Sequence, residues 1–525
     1  MKPKNLYLIS FIEGGVVMVT ELAGAKILTP FFGASLYSWA STLSITLFAL
    51  MTGYYTGGYV TTKSRFASSN QIIWVFLVSG LSVLIMPTIA TFIMQKTISF
   101  SFFSGLIISE LLFLFFPIFL MGMISPLIIF QITKKAELSG RSAGNIYAIS
   151  TSGGILFTLV FGFIVIPNYG ISLPLRILGL SVAALATVFL IKDKLSAKKF
   201  PQALFLILLV AGISFNKSRP SIPLKDNMKL LEYSEGLLGE LKVTNEHVYG
   251  NDGSPTTVLK LRVNNIPQNY VFANLPTQSL FPYVNFTRQL LKHFPKKESA
   301  LLIGLGAGSL FKVLKDQYAY VETVEIDKRI YDFGVKYFGM LEHKEHFITD
   351  GRYYINSTKK KYDLIIVDVI IGESIPAQLI TLESFRQIYK LLNTNGTLII
   401  EHGGVKGFTE NAFVPSIYKT LTATGFQVNL FNPLLSEKIG DVMFVATKNP
   451  LDVSKISLLP DVLIKGGALL QYTLPITLFD YKSSNILTDD KNNLDVLLKS
   501  HYFEIRKSIR KELASFKSKK SDRPF

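Results

Sequence analysis

The stretch Ala300-Leu-Leu-Ile-Gly304-Leu-Gly306-Ala-Gly308-Ser reads as an apolar strand running through a glycine loop into a helix. Glycines at alternate positions let the backbone pass close to a ligand at the switch edge of a sheet. Ser309 stands where the dinucleotide fingerprint has its third glycine, a spacing that suits adenosine-containing ligands without a pyrophosphate better than NAD. Glu325 ends the next expected strand, 19 residues after Gly306, where a carboxylate can accept both ribose hydroxyls. Asp350-Gly351 follows the third strand: the Asp can accept from an adenine amino group, and the glycine leaves room for the ring. Asp368 closes Tyr362-Asp-Leu-Ile-Ile-Val-Asp368, again at the carboxyl edge. A glycine loop, a Glu, an Asp-Gly and an Asp at successive strand ends together describe a nucleoside site. Asp327, one position past a strand end, fits a helix cap instead.

The elements that must hold these residues follow from the hydrophobic pattern. Strands at 300–303, 321–325, 346–349, 363–367 and 396–401 alternate with helices at 308–317, 328–338 and 381–392, the rhythm of a doubly wound sheet. Ahead of them, Leu230–Tyr233, Gly239–Thr244, Thr257–Val263 and Tyr270–Phe272 read as short strands, with turns at Asn251-Asp-Gly and Asn264-Asn. A helix fits Ser279–His293. The expected fold is thus a small β-domain (217–275) before a Rossmann-like, methyltransferase-type nucleoside-binding domain (276–450), with a C-terminal extension and basic tail (451–525).

The remaining 216 residues have another composition. They hold 14 Lys/Arg and 5 Asp/Glu, against 40 and 32 in residues 217–525, which is the makeup of a membrane domain. Apolar runs near 6–28, 39–60, 72–94, 99–130, 146–167 and 171–191 can each cross a bilayer, and a shorter one at 201–215 leaves six or seven spans open. Pro117 and Pro126 should make the fourth run one long broken helix. Lys2 and Lys4, Lys63 and Arg65, Lys134, Lys135 and Arg141, then Lys192, Lys194, Lys198 and Lys199 mark alternate connections, placing the N-terminus in the cytoplasm. Glu13, Glu21 and Glu110 lie inside apolar runs, where acids either mark a polar path or pair near the interface. Gly53, Gly57, Gly58, Gly153, Gly154 and Gly162 fit close helix packing.

The net charge of +17 is accounted for by basic loops and by the tail (Arg506, Lys507, Arg510, Lys511, Lys517, Lys519, Lys520, Arg523), so no nucleic-acid partner is expected. The chain has no cysteine, which excludes disulfides and thiolate chemistry. No metal site is expected: His343 and His346 form the one close histidine pair and read as helix-surface residues. His402, after a strand ending at Glu401, is a candidate for the pocket mouth. Ser-His-Asp chemistry lacks its elbow motif.

On these motifs the soluble part, about 229–450, resembles the spermidine synthase (polyamine aminopropyltransferase) family, and the whole chain is similar to its membrane-fused bacterial members. The N-terminal signatures are Glu21-Leu-Ala-Gly-Ala-Lys-Ile-Leu-Thr-Pro-Phe-Phe-Gly33, Gly53-Tyr-Tyr-Thr-Gly-Gly58, Gly122-Met-Ile-Ser-Pro126 and Ala143-Gly-Asn-Ile-Tyr-Ala148 leading to Gly153-Gly154. Gly236-Leu-Leu-Gly239, Pro376-Ala377 and Leu487-Thr-Asp-Asp490 match further. The resemblance implies that Gly304, Gly306 and Gly308 line decarboxylated S-adenosylmethionine, Glu325 binds its ribose and Asp350 its adenine. It implies that Asp368, the first Asp of the family's Asp-x-x-Asp, orients an amine acceptor and takes its proton. Gln268 matches a substrate-strand Gln, and Tyr283 the aromatic that follows. The resemblance also points to a homodimer, and cofactor supply places the soluble domain in the cytoplasm.

Two amine-anchoring acids of that pattern are replaced. The glycine-loop acid is Ala307, and the second Asp of Asp-x-x-Asp is Ile371. Glu373, Asp489 and Asp490 are the candidates to substitute. The acceptor is putrescine, another amine, or a molecule delivered by the membrane part. Two other readings stay open: an S-adenosylmethionine-dependent methyltransferase, and a polyamine transporter or sensor whose nucleoside domain does not catalyse.

Overall fold

The computed structural model describes residues 1–62, 69–133, 135–192, 199–215, 221, 224–236, 238–249, 254–294, 298–369, 376–406, 412–435, 439–498, 506–507 and 509–511. The Asn251-Asp-Gly turn, Lys63, Arg65, Lys134, Lys194, Lys198, Ile371, Glu373 and the tail from Lys517 lie outside them. The chain folds as two units: 1–223 with 234–240 and 508–525, and 224–233 with 241–507.

The first unit is helical: α1 (Pro3–Phe32), α2 (Leu36–Thr62), α3 (Ser69–Thr97), α4 (Phe102–Phe113), α5 (Phe115–Ile132), α6 (Ser139–Val160), a π-turn leading into α7 (Ile166–Tyr169), α8 (Ser172–Lys192) and α9 (Phe200–Phe215). Among the described residues five helical segments are long and apolar enough to cross a membrane: α1, α3, α5, the continuous run 136–169 and α8. The 27-residue α2 falls short of that apolarity because Ser, Thr and Tyr recur along it, and α4 and α9 are shorter. The long fourth run breaks at Leu114. Pro117 explains the position, since its ring excludes the carbonyl of residue 113 from continuing the helix, whereas Pro126 is carried inside α5.

Glycine sets the close helix pairs. A Cβ on Gly53 or Gly57 of α2 would meet α5 backbone at 2.5 or 2.6 Å, and one on Gly153 of α6 would meet the α1 carbonyl of Phe11 at 1.8 Å. Gly58 faces open space and Gly162 makes only an ordinary contact, so the packing explanation does not extend to them. Glu13 is buried and accepts from Ser150 (3.0 Å) and Ser125 (3.3 Å); Glu110 accepts from Thr42 (2.6 Å) and Ser41. These two acids tie helices together through hydroxyl donors.

Ahead of the doubly wound domain an antiparallel sheet runs in sequence order: β1 (Met228–Gly236), β2 (Gly239–Tyr249), β3 (Pro255–Val263), β4 (Ile266–Phe272) and β5 (Leu275–Ser279). Asn264 and Asn265 both have positive φ (48° and 72°), the two-residue hairpin geometry that matches strand twist. Strand β5 was not expected; its Pro, Thr, Gln and Ser lack the apolar alternation that marks a strand. The inner face of this sheet, with Leu241, Val243, Leu261 and Val271, packs on Ala307, Ile330, Phe333 and Phe338.

After α10 (Pro282–Leu291) comes the doubly wound domain. Its elements are β6 (Ser299–Ile303), α11 (Ser309–Lys315), β7 (Tyr320–Glu325), α12 (Lys328–Tyr337), β8 (His346–Ile348), α13 (Gly351–Ser357), β9 (Tyr362–Val367), α14 (Leu382–Leu391), β10 (Leu392–Lys406), α15 (Phe413–Thr424), β11 (Gln427–Phe431) and β12 (Ile439–Thr447). The sheet order is β11-β12-β10-β9-β6-β7-β8, with β12 antiparallel to β10 and to β11. Leu301 and Ile303 enter one core cluster and Ala300 and Leu302 the other, because a sheet covered on both faces needs apolar residues at every position. Strand order reverses between β6 and β9, so the ligand crevice of such a sheet lies at the carboxyl ends of those two strands. Residues 451–498 lie along this domain: Asp461 accepts from Gln289 (2.9 Å), and Leu382 donates to the carbonyl of Leu487 (2.8 Å).

Candidate active site

The glycine loop occupies the switch point. Gly304, Gly306 and Gly308 all take positive φ (86°, 53° and 84°), but their surroundings differ. A Cβ on Gly304 would sit 1.9 Å from the carbonyl oxygen of Asp368, and one on Gly308 would sit 2.6 Å from Met340 Sδ. At Gly306 the nearest atom is the carbonyl oxygen of Gln268, 3.4 Å away. Gly304 is therefore required by the neighbouring chain and Gly308 by Met340. Gly306 leaves its face open.

Glu325 locks the loop to the end of β7. Its carboxylate accepts from the backbone N–H of Leu305 (3.1 Å) and of Asp327 (2.9 Å). Each oxygen thus keeps lone-pair capacity for a further donor. Burial raises its pKa to about 7, opposed by the backbone N–H groups. Asp327 caps α12, accepting from the Arg329 N–H at 3.0 Å.

Asp350 caps α13 and accepts from the Tyr353 N–H at 2.9 Å. Gly351 has a packing role: a Cβ there would meet Ile303 Cγ2 at 2.7 Å. Leu379 Cδ2 lies 3.3 Å from the same point.

Asp368 follows β9, and its N–H continues the ladder to the carbonyl of Ile303 at 2.9 Å. The Tyr283 hydroxyl, from α10, donates to Asp368 Oδ2 at 3.1 Å. Burial and the Asp441 carboxylate push Asp368 up to about 6, against the Tyr283 bond. Burial, Asp368, Glu401 and Asp441 together hold the Tyr283 hydroxyl protonated.

Glu401 and Asp441 are the residues that sequence reasoning missed as site members. The pairing of Val367 with Ile400 brings Glu401 beside Asp368. The pairing of His402 with Val442 brings Asp441 to the same edge. Glu401 is 5% exposed, and burial, Asp441 and Asp368 raise its pKa well above the carboxylate range. Three carboxyl groups thus converge from three adjacent strands. The available signal was an acid at the end of an apolar run, in Leu398-Ile-Ile-Glu401 and Asp441-Val-Met-Phe.

Other candidates fall elsewhere. Ala307 is fully buried in the apolar cluster under the small sheet. Asp489 is held by Arg352 (2.7 Å) and Thr381 (2.7 Å), so it does not substitute in the acid cluster, and Asp490 is exposed. His402 is buried against Phe413 (ring centroids 4.4 Å) rather than at a mouth. His343 and His346 are not helix-surface residues. Both contact Thr323 Oγ1 at 2.7 Å, and they stack on Phe311 and Tyr331.

The second unit is a methyltransferase-like Rossmann domain behind a small antiparallel sheet. Residues 286–453, toward the C-terminus, match the family model described as Spermine/spermidine synthase domain. The polyamine aminopropyltransferase of Vibrio vulnificus (strain CMCP6) is 36% identical over 23% of this chain and 42% of its own length. The chain thus spans less than half of that relative. Polyamine aminopropyltransferase 2 of Aquifex aeolicus (strain VF5) is 23% identical over 89% of this chain and 93% of its own. Among solved structures, a probable spermidine synthase from Corynebacterium glutamicum ATCC 13032 aligns over 52% of this chain and 99% of its own, with 15% identity and a TM-score of 0.39.

Proposed function

We propose that this chain is a membrane-embedded aminopropyltransferase that joins the aminopropyl group of decarboxylated S-adenosylmethionine to an amine acceptor. The observation that carries this reading is the Asp368 carboxyl, held by Tyr283 and set beside the glycine loop at the switch point. The donor fits the residues present. Glu325 has acceptor capacity left for two ribose hydroxyls, and Gly306 leaves an open face for close approach. Asp350 is assigned the adenine amino group, while Gln268 and Tyr283 flank the reacting groups.

The donor supplies a sulfonium whose adjacent methylene is already electrophilic. Asp368 receives the proton that an acceptor ammonium must lose, freeing the nitrogen lone pair to form the N–C bond as the C–S bond breaks. The C–S electron pair returns to sulfur, leaving neutral methylthioadenosine. Tyr283 holds the carboxylate in place, and the remaining acceleration comes from positioning. The five apolar helices support membrane embedding by length and composition.

Asp368→Asn tests the assignment. It preserves shape and removes the base, so kcat should fall at least about 100-fold while methylthioadenosine binds as in the wild type. Full turnover in the variant would remove Asp368 from the mechanism.

A further inference from the structure

The C-terminal extension reaches the nucleoside edge of the sheet through a residue that the transfer chemistry leaves unused. Arg352, in the first turn of α13, follows directly on Asp350-Gly351. Its guanidinium donates from Nη2 to Asp489 Oδ2 at 2.7 Å and from Nη1 to Asp489 Oδ1 at 3.3 Å. Nη1 also donates to the carbonyl of Gln378 (2.7 Å) and to Thr381 Oγ1 (3.0 Å). Thr381, buried at the N-cap of α14, donates its hydroxyl proton to Asp489 Oδ1 at 2.7 Å. The Asp489 N–H donates to Glu383 at 2.9 Å, and the Asn492 side-chain amide donates to the carbonyl of Ala377 at 3.2 Å. A fully exposed ion pair would contribute little. This one is two-pronged, its arginine side chain is 16% exposed, and three separate chain segments share it.

The segment held in this way borders Asp350-Gly351. Leu379, in the 3-10 turn Ala377–Leu379, comes within 3.3 Å of the point where a Cβ on Gly351 would stand. Asp350, assigned the adenine amino group, precedes that glycine and caps the same helix. Arg352 therefore ties the turn that carries the base acceptor to residues 377–381, and Asp489 fixes the direction of its guanidinium. Resting on the nucleoside half of the aminopropyltransferase reading, we infer that Asp489 is a positioning residue, acting through Arg352 to set the adenine side of the site. Without Asp489, Arg352 keeps its place on α13 but loses the partner that orients it, and 377–381 can shift relative to Asp350. An amino group is read by a directional hydrogen bond, so recognition of the base should suffer first. Ribose recognition, assigned to Glu325 at the end of β7, should be spared.

The test is isothermal titration of the full chain in detergent with methylthioadenosine and with methylthioinosine, whose base carries a carbonyl oxygen in place of the amino group. The proteins are wild type, Asp489→Ala, Asp489→Asn, Arg352→Gln and the double variant Asp489→Ala/Arg352→Gln. Wild type should prefer methylthioadenosine by about tenfold or more. Asp489→Ala should lose about tenfold in methylthioadenosine affinity and keep its methylthioinosine affinity, which also shows that the variant is folded. Asp489→Asn keeps an acceptor for Thr381 but loses the charge facing Arg352, so its loss should be smaller. The double variant should bind no more weakly than Asp489→Ala, because residues on one path do not add. Wild-type methylthioadenosine affinity in either Asp489 variant, equal losses for the two nucleosides, or additive losses in the double variant would overturn the inference. A wild type that binds neither nucleoside, or both alike, would overturn the adenine assignment and this inference with it. Turnover on the same preparations reports separately on aminopropyl transfer, so nucleoside binding without transfer would sink the transferase reading alone.

Discussion

Alanine placed in turn at the three loop glycines should separate ligand contact from chain packing. At Gly306 the added methyl would meet only the Gln268 carbonyl oxygen at 3.4 Å, and φ is +53°. An L-residue enters that left-handed region at about 1–2 kcal/mol, so Gly306→Ala should fold with a loss of that order. At Gly304 the methyl would fall 1.9 Å from the Asp368 carbonyl oxygen. Relieving that clash means displacing the Asp368 backbone, which donates to Ile303 at 2.9 Å, and should cost about 4 kcal/mol or more. Gly308→Ala should fall between, because the atom it strikes belongs to the adaptable Met340 side chain. Nucleoside affinity should follow a different order. The methyl of Gly306→Ala occupies the open face and should weaken methylthioadenosine binding at least tenfold, about 1.4 kcal/mol. Thermal unfolding and isothermal titration on the detergent-solubilised full chain read both quantities. Wild-type affinity in Gly306→Ala, or wild-type stability in Gly304→Ala, would refute the reasoning.

The remaining predictions concern the buried Glu325. Glu325→Ala removes the acceptor for Leu305 and Asp327 and should weaken methylthioadenosine binding at least tenfold; unchanged titration curves would refute the ribose assignment. Burial raises Glu325 from 4.5 to about 7, so between those values the folded chain holds a proton that the unfolded chain has released. Its contribution favours folding at low pH and is lost as pH rises through 7. Nucleoside binding has the opposite sign, because ribose hydroxyls donate to the ionised form, and affinity should increase from pH 6 to 8.

Local chemistry was legible in the sequence. The apolar run into Gly304, the Asp327 cap and the Asn264-Asn265 turn each depend on a few adjacent residues, and each took its expected form. The acids at strand ends were legible as strand ends, since apolar runs of parallel strands stop where the chain leaves the core. The Glu401–Asp441 convergence was not, because it depends on β12 returning antiparallel beside β10, a non-local register that no window of sequence contains. The packing of Gly351 was not legible for a related reason: the atom that a Cβ there would meet belongs to Ile303, from β6, well upstream in the chain. Asp489 was drawn from the tail to Arg352, a helix residue equally remote in sequence.

Aminopropyl transfer is tested most directly by the identity of the product. Purified full-length protein, supplied with decarboxylated or intact S-adenosylmethionine and with 1,4-diaminobutane, would be analysed by mass spectrometry for the nucleoside released. Methylthioadenosine should form only with the decarboxylated donor and only when the diamine is present. S-adenosylhomocysteine from the intact donor, or no nucleoside product from a preparation that binds methylthioadenosine, would contradict it.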